Sequence, residues 1–135
     1  MGAVEYLERI KKIDAIIANK MEDKARWFEI AKGMGGFSAS DGVQSSKNPQ
    51  KMSDAVIRYT EIEREIKALE AEKDSMMKTL EKLSCHDYGV LVLFYLRGYS
   101  HKQIAKHFDR SYDWSKKRKS MALDMLQNIL NERKE

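Results

Sequence analysis

Three observations in the sequence predict an all-α fold. Apolar residues recur at steps of three and four over long stretches, charged residues make up 34% of the chain, and aromatic residues are only 9%, with a single proline. Steps of three and four place side chains on one face of an α-helix, whereas a sandwich or barrel needs alternating strands and frequent turn residues. The expected architecture is a long antiparallel helical hairpin of coiled-coil type over residues 1–83, followed by a compact helical module over 84–135.

The first helix is expected from about Val4 to Ala31. There Tyr6, Leu7, Ile10, Ile13, Ile17, Met21, Trp27 and Phe28 form one apolar stripe. It stops at Gly33-Met34-Gly35-Gly36, and the Ser- and Gly-rich stretch up to Pro49 reads as a loop over 33–49. The glycines lack the lysine and the preceding strand of a phosphate-cradling loop, so they read as a helix stop. Phe37, in that loop, is the aromatic residue best placed to meet a partner.

Pro49 suits the first turn of a second helix. From Tyr59 to Leu83 the apolar steps alternate three, four, three, four through Ile62, Ile66, Leu69, Met76 and Leu80. That is a coiled-coil seam interrupted only by Lys73. Glu and Lys fill the outer faces at spacings that permit salt bridges, Glu63 with Lys67, and Glu70 with Asp74 and Lys78 nearby.

Beyond Leu83 the helices shorten and the punctuation sharpens. Ser84 with Asp87 opens a helix running to Arg97, and Gly98 stands where a left-handed cap belongs. Ser100 with Gln103 is a capping box for a helix ending at Phe108. Asp109-Arg110 makes a turn, and Ser111 caps a last helix reaching about Asn131. Two helices across so short a turn, with small Ala105 beside Ile104 to permit close crossing, form a helix-turn-helix within 84–135.

Charge is concentrated in the same place. The chain carries a net +4, but residues 97–120 hold eight Lys or Arg against Asp109 and Asp113, so this segment alone is +6. The expected partner is double-stranded DNA. The second helix would present Ser111, Tyr112, Asp113, Lys116, Lys117, Lys119 and Ser120 to bases and phosphates, with Lys102 and Arg110 on phosphates.

Other chemistry has less support. Cys85, His86, His101 and His107 lack the paired spacing of a zinc site. The carboxylates from Glu61 to Glu81 alternate with lysines on outer helix faces, and no nucleophile-histidine order stands out; neither an enzyme, a cofactor nor a metal is expected. The single cysteine and the lack of a leader pattern suggest a reducing cytoplasm. The longest apolar run, Val90 to Leu96, is far short of the ~20 residues of a membrane span.

Leu83, Tyr88 to Tyr95, Gly98, Ser100, Gln103-Ile104-Ala105, Phe108, Ser111 and Ala122-Leu123 together resemble region 4 of primary sigma factors. With the loop Val43-Gln44-Ser45-Ser46 and Lys51-Met52-Ser53-Asp54-Ala55-Val56, most of the chain is similar to ArpU-like late transcriptional regulators of phages and prophages. The resemblance implies transcriptional control in a bacterial host cell, by promoter DNA binding and contact with host RNA polymerase. It departs at Ser115, where an aliphatic residue is usual, and at Arg118, the next inward position. The expectation is a rotated helix that buries Trp114 and Met121 instead.

A homo-oligomer is expected, a dimer first, since two reading heads suit half-sites one helical turn apart. Two other readings remain open: a small terminase-like packaging subunit, which would assemble as a ring, and an adaptor that grips polymerase and barely touches DNA.

Overall fold

The computed structural model describes residues 1–32 and 49–133, all in helices, turns or short links, with no strand among them. The helices are α1 (Ala3–Ala31), α2 (Pro49–Leu80), α3 (Cys85–Leu91), α4 (His101–Phe108) and α5 (Tyr112–Arg133). A π-helical turn, Val92–Leu96, continues α3. The expected loop falls almost wholly on residues 33–48, outside the described residues, as do Phe37 and Val43 to Ser46.

The chain divides into two compact units, Met1–Asp14 with Glu72–Glu135, and Ala15–Ala71. This differs from the division expected at residue 83. The ends of α1 and α2 belong with the C-terminal module because their side chains complete its core.

In the first unit Tyr6, Leu7, Ile10 and Ile13 of α1 are buried, as are Met76 and Leu80 of α2, Leu83 in the link that follows, Val90 and Leu91 of α3, and Ala122, Leu126 and Leu130 of α5. Each large apolar side chain so buried contributes about 1.5–3 kcal/mol. The opening of α1 is tied to α5, since the Ala3 amide donates to Gln127 Oε1 at 2.8 Å. Arg133 donates to Tyr6 Oη at 3.2 Å and to Thr79 Oγ1 at 3.1 Å, so three helices share one polar cluster. Lys73, the break in the apolar seam, is half-buried and meets Asp14 at 2.6 Å.

The second unit has a thinner interior. Ala55, Ile62 and Ile66 are its buried residues among those described. Across its two helical segments Lys20 meets Glu65 at 2.9 Å, Lys24 meets Glu63 at 3.5 Å, and Phe28 packs on Tyr59 at 5.5 Å between ring centres. As one partner's number rises the other's falls, so these segments run antiparallel. Glu63 therefore pairs across helices, where Lys67 on its own helix was the expected partner.

Candidate nucleic-acid interface

The surface is built by local caps first. Ser84 Oγ accepts from the Asp87 amide at 3.4 Å and starts α3. At the far end Arg97 donates to Val92 O at 3.0 Å, the longer reach of a π turn, and Gly98 takes φ +72° with open space around it. Only glycine adopts that backbone without strain, which is why the chain reverses there. Gly89 serves differently, since a Cβ there would sit 2.6 Å from the Phe108 ring, so the bare backbone lets α4 close on α3.

Both halves of the α4 capping box form: Ser100 Oγ accepts from Gln103 N at 3.2 Å, and Gln103 Oε1 accepts from Ser100 N at 2.8 Å. Asp109 ends α4 in the left-handed region, φ 57° and ψ 49°, a conformation that Asp tolerates better than most residues. Arg110 N then donates to Ala105 O at 2.8 Å, and Ser111 Oγ accepts from Trp114 N at 3.0 Å to open α5. The turn between the two helices is three residues, Asp109 to Ser111.

Buried Ile104 and Ala105 of α4 face the inward side of α5, made by Ser115, Ala122, Leu126 and Leu130. The rotation expected for α5 is thereby corrected. Ser115 is fully buried, Met121 is 53% exposed, and Trp114 is half-buried. A serine is tolerated inside because His101 Nδ1 lies 2.9 Å from its Oγ, so the hydroxyl is not left without a partner.

This rotation leaves Tyr112, Asp113, Lys116, Lys117 and Ser120 exposed on α5, with Ser111 and Arg110 exposed in the turn and Lys102 exposed on α4. Lys116 Nζ lies 5.6 Å from the Tyr112 ring centre, and the Arg110 guanidinium lies 5.5 Å from that of Trp114. Such cation–π contacts orient flexible cations without neutralising them.

Lys119 is placed apart from that group. It is half-buried, its Nζ 4.1 Å from the ring centre of Phe94 and 5.6 Å from that of Tyr95. Arg118 is also turned inward, reaching Asp87 at 3.3 Å, where the carboxylate is 9% exposed, and lying 5.7 Å from the Trp114 ring. Burial, and to a lesser degree Glu8, pushes the Tyr95 phenol above its ordinary value.

Sequence reasoning placed Asp87 as a capping residue and missed its partner on α5. It also missed His101, whose ring stacks on Phe94 at 4.9 Å and meets Tyr112 edge-on at 5.9 Å. A hint to Ser115 was present, because it falls on the helical period of Ala122, Leu126 and Leu130; nothing local marked His101.

Among the described residues no group of three His, Cys, Asp or Glu side chains is arranged to hold a metal ion, and no helix is long and apolar enough to cross a membrane. Comparison of the chain with protein-family models, with curated proteins and with solved structures finds no match.

Proposed function

We propose that this protein is a DNA-binding transcriptional regulator that reads duplex DNA with α4, the turn and the first turns of α5, used as a helix-turn-helix. The observation that carries the reading is the inward setting of Ser115, which leaves Tyr112, Asp113, Lys116 and Lys117 exposed directly behind the Ser111 cap. In a helix-turn-helix these are the positions that meet base edges and phosphates.

Lys102 and Arg110 add cations from the preceding helix and turn, and Lys106 stands exposed on α4 beside them. Of the expected DNA-facing residues Lys119 is set apart, being half-buried with its Nζ over Phe94, and Arg118 stays outside the set, engaged by Asp87. The regulatory role, and a phage or prophage origin, rest on the resemblance of most of the chain to ArpU-like late transcriptional regulators, of which the region 4 likeness of residues 83–123 is a part. Host polymerase contact and dimerisation belong to the same proposal, and no catalytic step does.

The test is a mobility-shift titration of the full chain on duplex DNA across a salt series. Lys116→Ala with Lys117→Ala is expected to weaken binding and to lower the slope of log affinity against log salt by about two, one for each phosphate that is no longer neutralised. Binding unchanged by this double substitution overturns the reading.

A further inference from the structure

His101 is the first residue of α4, yet most of what its ring touches lies on other elements. Nδ1 lies 2.9 Å from buried Ser115 Oγ, one face stacks on Phe94 of the π turn at 4.9 Å and 26°, and the edge meets Tyr112 at 5.9 Å. One imidazole thus links the π turn, α4 and the first two turns of α5.

Its electrostatic surroundings are one-sided. Lys116 and Lys119 of α5 face it together with Tyr112, Lys102 follows it on α4, and the π turn meets it through the uncharged ring of Phe94. The N-terminus of α4 adds a partial positive charge of its own. Burial first, then Lys119 and Lys116, hold the ring below the ordinary histidine value. The charges that move the ring are both cationic.

We propose that His101 is a proton-linked positioning residue for the DNA face: duplex phosphate held by Lys116 brings an anion beside the ring, so binding takes up a proton at His101 and tightens as pH falls. The inference rests on the DNA-binding reading above. In the charged ring both nitrogens carry protons and Nδ1–H donates to Ser115 Oγ, so the link between α4 and α5 persists while the ring gains charge. Linkage fixes the sign: a group whose pKa is higher in the complex than in the free protein makes affinity rise as pH falls between the two values.

The experiment measures affinity of the full chain for a duplex of about 20 base pairs, at fixed salt, from about pH 7.5 to about pH 6. Wild-type protein should bind about threefold tighter at the lower pH, within the tenfold that one pKa unit permits, and His101→Gln should lose that gain. In parallel the His101 ring signal, identified by its absence in His101→Gln, is titrated by NMR with and without the duplex. A higher ring pKa in the complex supports the inference and does not depend on the variant folding. Binding with no pH gain, an equal gain in His101→Gln, or a ring pKa unmoved or lowered by DNA overturns it. Absence of DNA binding at every pH removes the DNA-binding reading itself, an outcome distinct from binding without proton linkage.

Discussion

The unit Ala15–Ala71 and the unit formed by Met1–Asp14 with Glu72–Glu135 draw on the same two long helices but are held by different forces. In the second of these, side chains from α1, α2, α3, α4 and α5 are fully buried, Leu7, Ile10, Leu80, Val90, Ile104 and Leu126 among them. In Ala15–Ala71 the buried side chains among those described are Ala55, Ile62 and Ile66. Contacts between its helices include ion pairs of half-exposed side chains, the tilted Phe28–Tyr59 pair and Lys24 over Tyr59, while Met21, Phe28, Val56 and Ile57 stay about half exposed. Apolar burial stabilises in proportion to area, whereas exposed ion pairs are screened and contribute little. An amphipathic stripe continued over 29 residues, as in α1, is therefore no guarantee of an equally strong core along its length.

The largest effect should come from the well-packed unit. Leu126→Ala removes a fully buried side chain and is expected to cost about 2–5 kcal/mol in urea denaturation. Ile66→Ala, in Ala15–Ala71, should cost clearly less, because its exposed neighbours can close over the gap. Equal costs would break the comparison.

Next in size is Gly89→Ala, since the new methyl would lie 2.6 Å from the Phe108 ring. That ring is hemmed in by His86, His107 and Trp114, at 4.9–5.6 Å between ring centres, so it has little room to yield. Overpacking of this kind costs about 1–3 kcal/mol, and a melting curve indistinguishable from wild type would refute the close approach.

The smallest effect is expected from Lys20→Met. The Lys20 hydrogen bond first, then the charges of Lys20 and Arg58, hold Glu65 below the usual carboxylate range. Any stability from this pair is present above the unfolded carboxylate value and is lost as pH falls through the lower folded one. Because the pair is solvent-screened, Lys20→Met should leave the denaturation midpoint at neutral pH unchanged within error. A clear loss would mean that ion pairs, and not the apolar seam, hold Ala15–Ala71.

The division of the chain was harder to read than its helices. Nothing in the seam from Tyr59 to Leu83 distinguishes its two ends, since Ile62 and Leu83, three heptads apart, occupy equivalent positions in the repeat. What separates them is α5, whose Leu126, Leu130 and Arg133 complete the core only where the first turns of α1 and the last turns of α2 lie. Sequence periodicity states that a face is apolar; it does not say which distant segment covers that face.

The all-α character and the starts of α3, α4 and α5 were set locally by the sequence, whereas the π turn that takes over from α3 at Val92 was not legible in it. The steps of three and four, the serines at 84, 100 and 111 and the glycine at 98 act through neighbours a few residues away, and a cap works wherever its helix is placed. Tertiary structure alone decided which way α5 is turned. Ser115 is buried because an imidazole 14 residues earlier partners its hydroxyl, and that same choice exposes Lys116 and Lys117 and folds Lys119 onto Phe94. The physical reason is that a small polar side chain can face either solvent or core, and only a partner across the interface settles which has the lower free energy.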